Sequence, residues 1–197
     1  NGRDYKILPA AKDYKRIGEG NTGLNTGGMG SVSPPPFLDK SLMNKIESKI
    51  IKPTILGLQE ENIDYTGFIF FGLINVNGEP KVIEYNARLG DPETQSVLPR
   101  IKSDFLELLS SIQNEKEFKN TQILSEKLTC ISTILASDGY PEKYLTGFPV
   151  SGLNNLAKDT IIFHGGTQKS DQMIITNGGR VLAISSFGKK LKEAKQK

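Results

Sequence analysis

One cysteine and one histidine stand among 197 residues, and that scarcity excludes several classes of protein at once. A lone Cys130 closes no internal disulfide, so a reducing, cytoplasmic setting is the natural expectation. With His164 as the single imidazole, a His/Cys zinc cluster is excluded, and any metal must be held by oxygen. No apolar run approaches the roughly 20 residues of a membrane helix, so no membrane partner is expected. A basic excess is missing too: 25 Lys and Arg against 22 Asp and Glu leave +3. No basic run appears before the C-terminus, and no nucleic-acid partner is expected. The remainder, 37% hydrophobic and 24% charged, is the composition of a soluble globular chain with a real core. Its length suits one large domain or two small ones.

The chain opens on Asn1 without a targeting segment. Asn1-Gly2-Arg3-Asp4 reads as a turn before the apolar Ile7-Leu8-Pro9, and Lys189–Lys197 as the start of an amphipathic helix. Both ends give the expectation of a piece of a longer polypeptide. Residues 10–36 are dominated by turn formers, with Gly18, Gly20, Gly23, Gly27, Gly28 and Gly30 followed by Pro34-Pro35-Pro36, and are expected as a loop rather than a core element. A helical pattern follows on Leu42, Ile46, Ile50 and Leu58, with a kink expected at Pro53. Thr66–Asn75 reads as a strand buried on both faces, Asn77-Gly78 as a hairpin turn, and Lys81–Asn86 as the antiparallel partner. Asp91-Pro92-Glu93 has the grammar of a helix start, with Asp91 as N-cap; another amphipathic helix spans Ser103–Ile112.

A polar stretch, 113–127, reads as a linker. Beyond it come short strands at Leu128–Leu135, Thr160–Phe163, Met173–Thr176 and Arg180–Ser185, the last two joined by a hairpin turn at Asn177-Gly178-Gly179. The expected class is α+β, divided into 1–112, a linker at 113–127, and 128–197.

The densest chemical signal is Glu84-Tyr85-Asn86-Ala87-Arg88. Alternate side chains of a strand share a face, so Glu84, Asn86 and Arg88 would line up at intervals of roughly 7 Å. A carboxylate and an amide oxygen are hard ligands suited to Mg²⁺, which takes one or two protein oxygens beside water and substrate phosphates. Arg88 would add a planar fork for a carboxylate or phosphate. The exposed face of any antiparallel strand carries the same alternation, so the pattern by itself leaves both readings open. Asn25-Thr26-Gly27-Gly28-Met29-Gly30 is either a close-approach loop whose successive N–H groups form an anion nest or a flexible surface loop; it has neither P-loop nor G-x-G-x-x-G spacing. Lys15 and Arg16 lie just upstream as cations for an anion or as solvated charge. Cys130, in an apolar strand, reads as core, and His164 as a residue that closes a strand by a hydrogen bond.

Asp13-Tyr14-Lys15-Arg16, Asn25–Gly30, Tyr65-Thr66-Gly67 and Glu84–Gln95 occur in an order that closely resembles the phosphoribosylamine–glycine ligase (glycinamide ribonucleotide synthetase) family. Gly139-Tyr140-Pro141, Phe163–Thr167 and Thr176–Val181 extend the resemblance almost to the end. The resemblance implies the C-terminal part of an ATP-grasp core, an antiparallel sheet with helices, plus a smaller α+β C-terminal domain. It implies ATP as co-substrate, Mg²⁺ or Mn²⁺, and ligation of glycine to 5-phosphoribosylamine through a glycyl phosphate. By the same resemblance, Glu84 and Asn86 would hold the metal. Arg88, with Lys15 or Arg16, would meet the glycyl carboxylate and its acyl phosphate. Asn25, Thr26, Gly27, Gly28, Met29, Gly30, Asp91 and Glu93 would shape the substrate sites. The strand before Glu84 contains no acid where many ATP-grasp enzymes carry a further metal ligand, and Gly72 stands there. An N-terminal half of the same polypeptide is expected as the missing partner, and the 197 residues alone are expected to be inactive. Another ATP-grasp carboxylate–amine ligase and a non-catalytic module retaining the fold are the alternatives.

Overall fold

The computed structural model describes every residue from Asn1 to Lys197. In chain order the first strands are β1 (Lys12–Asp13), β2 (Arg16–Gly18), β3 (Thr22–Asn25) and β4 (Gly30–Ser33). Helices α1 (Lys40–Ile46) and α2 (Lys52–Glu60) then flank a π-helical turn at Glu47–Ile51, and strands β5 (Phe70–Val76) and β6 (Glu79–Asn86) follow. Next come α3 (Thr94–Val97), α4 (Phe105–Ser111) and α5 (Glu115–Asn120). The chain ends with β7 (Thr129–Ala136), β8 (Pro149–Val150), β9 (Thr160–His164), β10 (Thr167–Ser170), β11 (Met173–Thr176), β12 (Arg180–Gly188) and α6 (Leu191–Lys195).

These elements pack into two interleaved units. The first comprises Asn1–Leu8, Pro35–Gly90 and Ile101–Ser125; the second comprises Pro9–Pro34, Asp91–Arg100 and Glu126–Lys197. Sequence order therefore divides the chain at 113–127, whereas packing divides it five times. The polar stretch expected as a linker contains α5, whose Phe118 is buried. Charged residues dominate it because only one face of so short a helix is covered.

In the first unit, Asp39 caps α1 by accepting from the Leu42 N–H at 2.7 Å. Pro53 is the second residue of α2, directly after the π turn, and the backbone stays helical through Ile51 and Lys52. The π turn before it absorbs the extra residue of the pattern expected as one kinked helix. Leu42, Ile50, Ile51, Leu108 and Phe118 form the buried centre. Strands β5 and β6 pair antiparallel with each other alone. Their turn is the expected one, Asn77 (φ 54°) and Gly78 (φ 81°) both being left-handed. The strand expected to be buried on both faces is not. With no third strand on this hairpin, Ile74, Val82, Ile83 and Tyr85 are exposed.

The second unit is built on a five-stranded antiparallel sheet ordered β1-β4-β7-β12-β9. Strand β4, Gly-Ser-Val-Ser, is buried at all four positions and so overturns the expectation that residues 10–36 form no core element. Its small side chains allow the close approach that conceals it from a hydropathy reading: a Cβ on Gly30 would stand 2.6 Å from the Ser132 carbonyl oxygen. Adjacent strand residues face opposite ways. Ser185 Oγ donates to the Gln95 carbonyl of the α3 segment at 2.6 Å, and Ser186 Oγ to Ala194 of α6 at 2.6 Å. The two helices thus cover opposite faces of the sheet.

Strands β10-β11-β8 make a separate three-stranded sheet. The hairpin expected between β11 and β12 is not formed, since each pairs elsewhere. Asn177-Gly178-Gly179 instead carries the chain from one sheet to the other past Gly166; a Cβ on Gly178 would meet the Gly166 Cα at 2.9 Å. Cys130 is fully buried in β7, and His164 ends β9 with Nδ1 2.9 Å from Thr167 Oγ1, as the sequence indicated. No helix is long and apolar enough to cross a membrane.

Candidate functional site

The expected site residues fall in both units. In the first unit, Glu84 and Asn86 occupy one face at the end of β6, with Asn86 Nδ2 donating to Glu84 Oε1 at 3.2 Å. The opposite face carries Tyr85, edge-on to Phe71 across the hairpin at 5.4 Å. Gly72 pairs directly with Glu84, and a Cβ there would lie 2.8 Å from Glu84 Cγ. The absence of a side chain at 72 thus makes room for the Glu84 stem, a steric reason for glycine at the position where many ATP-grasp enzymes carry an acid. Arg88 does not continue this face. The strand ends at Asn86, and Arg88 sits in the following bend with its guanidinium donating to the Leu89 carbonyl at 2.8 Å.

The donor set suits one hard divalent ion. Glu84 offers a carboxylate and Asn86 an amide oxygen, and no group of three or more His, Cys, Asp or Glu side chains is arranged to hold a metal ion among the described residues. Two protein oxygens with water and phosphate completing the shell are what Mg²⁺ commonly accepts.

In the second unit the glycine-rich segment is pinned on every side. Thr26 donates through both N–H and Oγ1 to the Lys15 carbonyl at 2.8 Å, and Met29 N–H donates to Tyr14 at 2.7 Å. Gly27 N–H donates to the Tyr140 hydroxyl at 3.2 Å, and Gly28 N–H to Thr26 Oγ1 at 2.9 Å. The successive N–H groups of residues 26–29 are thereby spent, so of the two readings of this segment neither the anion nest nor the unpinned surface loop matches it. Gly28 has φ +115°, and a Cβ there would lie 2.3 Å from Pro92 Cδ and 2.9 Å from Asp13 Oδ1. Only glycine fits.

The charged residues around the segment are also engaged. Lys15 Nζ lies 2.5 Å from Asp13 Oδ2, and Arg16 donates to the Gly23 carbonyl at 2.7 Å, closing the β2–β3 hairpin. Asp91 does not cap a helix. Its carboxylate is taken by Arg180, with N–O distances of 2.5 and 3.2 Å, while α3 begins at Thr94 with Glu93 at its N-cap. Arg180 also donates to the carbonyls of Gly27 (3.1 Å) and Gly28 (3.3 Å). Sequence reasoning missed this residue as a member of the site; its place in Thr176–Val181, a segment of the family resemblance, was its single signal. Glu93 is buried at 6% exposure, and its Oε2 has no hydrogen-bond partner. Burial pushes its carboxyl above the usual range; Asp13 and Asp91 add to the rise, opposed by its own backbone N–H and by Lys15.

Comparison with known proteins gives one family. A family model described as the ATP-grasp (A) domain of phosphoribosylglycinamide synthetase matches residues 1–94, and one described as the C domain of the same enzyme matches 130–197. A phosphoribosylamine–glycine ligase of Caldanaerobacter subterraneus is 42% identical over the whole chain, which covers 46% of that relative. A bifunctional purine biosynthetic protein of Pichia angusta is 43% identical, again over the whole chain, which covers 25% of it. Among solved structures, the phosphoribosylamine–glycine ligase of Thermotoga maritima superposes with a TM-score of 0.85 at 33% identity, covering the whole chain and 48% of its own. An L-amino acid ligase of Bacillus licheniformis, at 17% identity over 93% of this chain and 44% of its own, reaches a TM-score of 0.56 and shares the fold alone. The chain spans about half the length of the single-function relatives it matches.

Proposed function

Because the chain belongs to the phosphoribosylglycinamide synthetase family, matching its ATP-grasp and C domains, we propose that the polypeptide containing it ligates glycine to 5-phosphoribosylamine at the expense of ATP. A carboxylate oxygen of glycine attacks the γ-phosphorus and ADP leaves. The neutral amine of phosphoribosylamine then attacks the acyl carbon, phosphate leaves, and the new amide nitrogen sheds a proton. The single observation that carries this reading is the Glu84–Asn86 pair, an oxygen donor set on one strand face within a family-matched segment.

Glu84 and Asn86 would hold Mg²⁺ or Mn²⁺. Bound there, the ion supplies charge neutralisation for the triphosphate. Arg88 is proposed to orient the glycyl carboxylate and then its acyl phosphate, exchanging the Leu89 carbonyl for them. Lys15 or Arg16 would join it only by releasing Asp13 or Gly23, so Arg88 carries most of this role. Asn25–Gly30, Asp91 and Glu93 shape the substrate side. Residues 1–112 are read as the C-terminal half of the catalytic domain and 128–197 as the C-terminal domain, with ATP contacts completed by an N-terminal half. The 197 residues alone should therefore ligate nothing measurable.

The test is the full-length polypeptide with ATP, glycine and phosphoribosylamine, compared across other amino acids. Glu84→Gln should lower metal-dependent turnover by more than the roughly 10–100-fold typical of changes to groups that merely support a metal ligand. Turnover indifferent to Glu84→Gln would point to a scaffold. Preference for a different amino acid would point to a related carboxylate–amine ligase.

A further inference from the structure

The face on which Glu84 and Asn86 lie is set by an irregularity in β6. Across the hairpin Leu73 pairs with Val82 and Gly72 with Glu84, so Ile83 is an extra residue without a partner on β5. A bulge of this kind reverses the side-chain alternation beyond it. Pro80, Val82 and Tyr85 stand opposite Asn75, Leu73 and Phe71, which share one face of β5, so Tyr85 takes the face of the buried Pro80. In an unbroken strand Glu84 and Asn86 would have taken that face; they share the face of Glu79 and Lys81 instead.

This phase needs support, because the hairpin has no third strand and the bulge interrupts its ladder. Support comes from helices of the same unit. At the start of β6, Glu79 accepts from Lys45 at 2.7 Å and from Lys49 at 2.6 Å, and Lys45 also donates to the Gly78 carbonyl at 2.8 Å. Beyond the bulge, the Tyr85 hydroxyl lies 3.3 Å from Thr54 Oγ1 of α2. Thr54 spends its one hydroxyl proton on the Ile50 carbonyl at 2.7 Å, so Tyr85 is the donor. The lysines act before the bulge, and the Tyr85–Thr54 bond acts after it.

Building on the metal role proposed above, we infer that Tyr85 is a positioning residue for the Glu84–Asn86 pair: held by Thr54, it keeps β6 in the phase set at Ile83 and both oxygen donors on one face. Tyr85 acts through the strand, from the face opposite the pair, and not on the metal itself.

The test uses the full-length polypeptide. Mn²⁺ is titrated with β,γ-methylene-ATP present and glycine absent, and free Mn²⁺ is followed by electron paramagnetic resonance, so that binding is read without turnover. Tyr85→Phe keeps the ring and removes the donor; Mn²⁺ affinity should fall about two- to tenfold, the range for one neutral hydrogen bond. In turnover the half-saturating Mg²⁺ concentration should rise by the same factor, while the KM for glycine and kcat at saturating Mg²⁺ stay within about twofold. Thr54→Val should match Tyr85→Phe, and the double variant should lose no more than either alone. Thr54→Ser, which keeps the acceptor oxygen, should bind Mn²⁺ as the unsubstituted protein does. A loss below about twofold in Tyr85→Phe overturns the inference. Additive losses in the double variant overturn it too, as does a loss in Thr54→Ser equal to that in Thr54→Val, which marks a packing role. Should Tyr85→Phe fail to fold, the two Thr54 variants decide. Mn²⁺ affinity indifferent to Glu84→Gln refutes the metal role itself, so the two failures are distinguishable.

Discussion

Arg180 joins parts of the chain that lie far apart in sequence: its guanidinium meets Asp91 and two carbonyls of the glycine segment. A lysine cannot reproduce that fork. Arg180→Lys should lower stability by about 1 kcal/mol, since the pair is partly exposed. It should also speed amide exchange at Gly27, Gly28 and Met29, read by hydrogen–deuterium exchange. Cys130 makes the opposite case, a group kept inert. Burial pushes its thiol up to about 12, a rise that Arg100 partly offsets, so a thiol reagent should label it only after unfolding. Because the thiol ionises more readily in the unfolded chain, its contribution to stability is complete below its ordinary value of 9.0 and is lost as pH rises towards about 12. Tyr5, raised to about 12 by burial and its hydrogen bond to Glu47, likewise contributes stability that is complete below its ordinary value of 10.0 and is lost as pH rises towards about 12. Cys130→Ala should flatten part, not all, of the alkaline loss in thermal melts. Of these residues the sequence made Cys130 legible, because an apolar strand surrounds it. The role of Arg180 depends on contacts with segments about 90 and 150 positions away, which no local pattern encodes.

Elements whose instructions are local were readable. Asn77-Gly78 specified its hairpin, and apolar spacing marked the helices that begin at Lys40 and Phe105, although their caps, Asp39 and Asp104, went unread. Strand β4 was not readable, because Gly-Ser-Val-Ser resembles a turn and is buried only through the strands on either side. Its serines now differ in prospect. Ser33 Oγ donates to Ala10 at 2.7 Å and accepts from the buried Arg100 at 2.8 Å. Ser132, opposite Ser31 on β7, has a buried hydroxyl with no partner. Ser33→Ala should cost about 1–3 kcal/mol by stranding polar groups, whereas Ser132→Ala should be neutral or stabilising. Urea denaturation of the two variants checks both signs. The pair proposed to hold the metal was legible, whereas the place of its expected companion Arg88 was not. Strand alternation put Glu84 and Asn86 together, but the end of β6 put Arg88 elsewhere.

At the scale of the molecule, the two units should differ in endurance. An isolated two-stranded ribbon is marginal in water, whereas the central strands of a five-stranded sheet are bonded on both edges. Amide exchange should therefore be faster in the two-stranded ribbons β2–β3 and β5–β6 than in β7 and β12, where it should approach the global unfolding limit. Equal protection of the ribbons and the large sheet would contradict this. The α+β class was visible in the alternation of strand and helix signals. The interleaving was not, since composition changes near 113–127 while the packing crosses from unit to unit at 8, 34, 90, 100 and 125.

That interleaving bears on anyone who would express the carboxy-terminal portion by itself. A gene cut at the compositional border would yield β7, β12 and β9 without β1 and β4, exposing the bare edge of β7 to adhesion between copies. A soluble piece would need residues 9–34 and 91–100 stitched back in, so the unit that can be cloned alone follows the order of strands in space, not the order of codons.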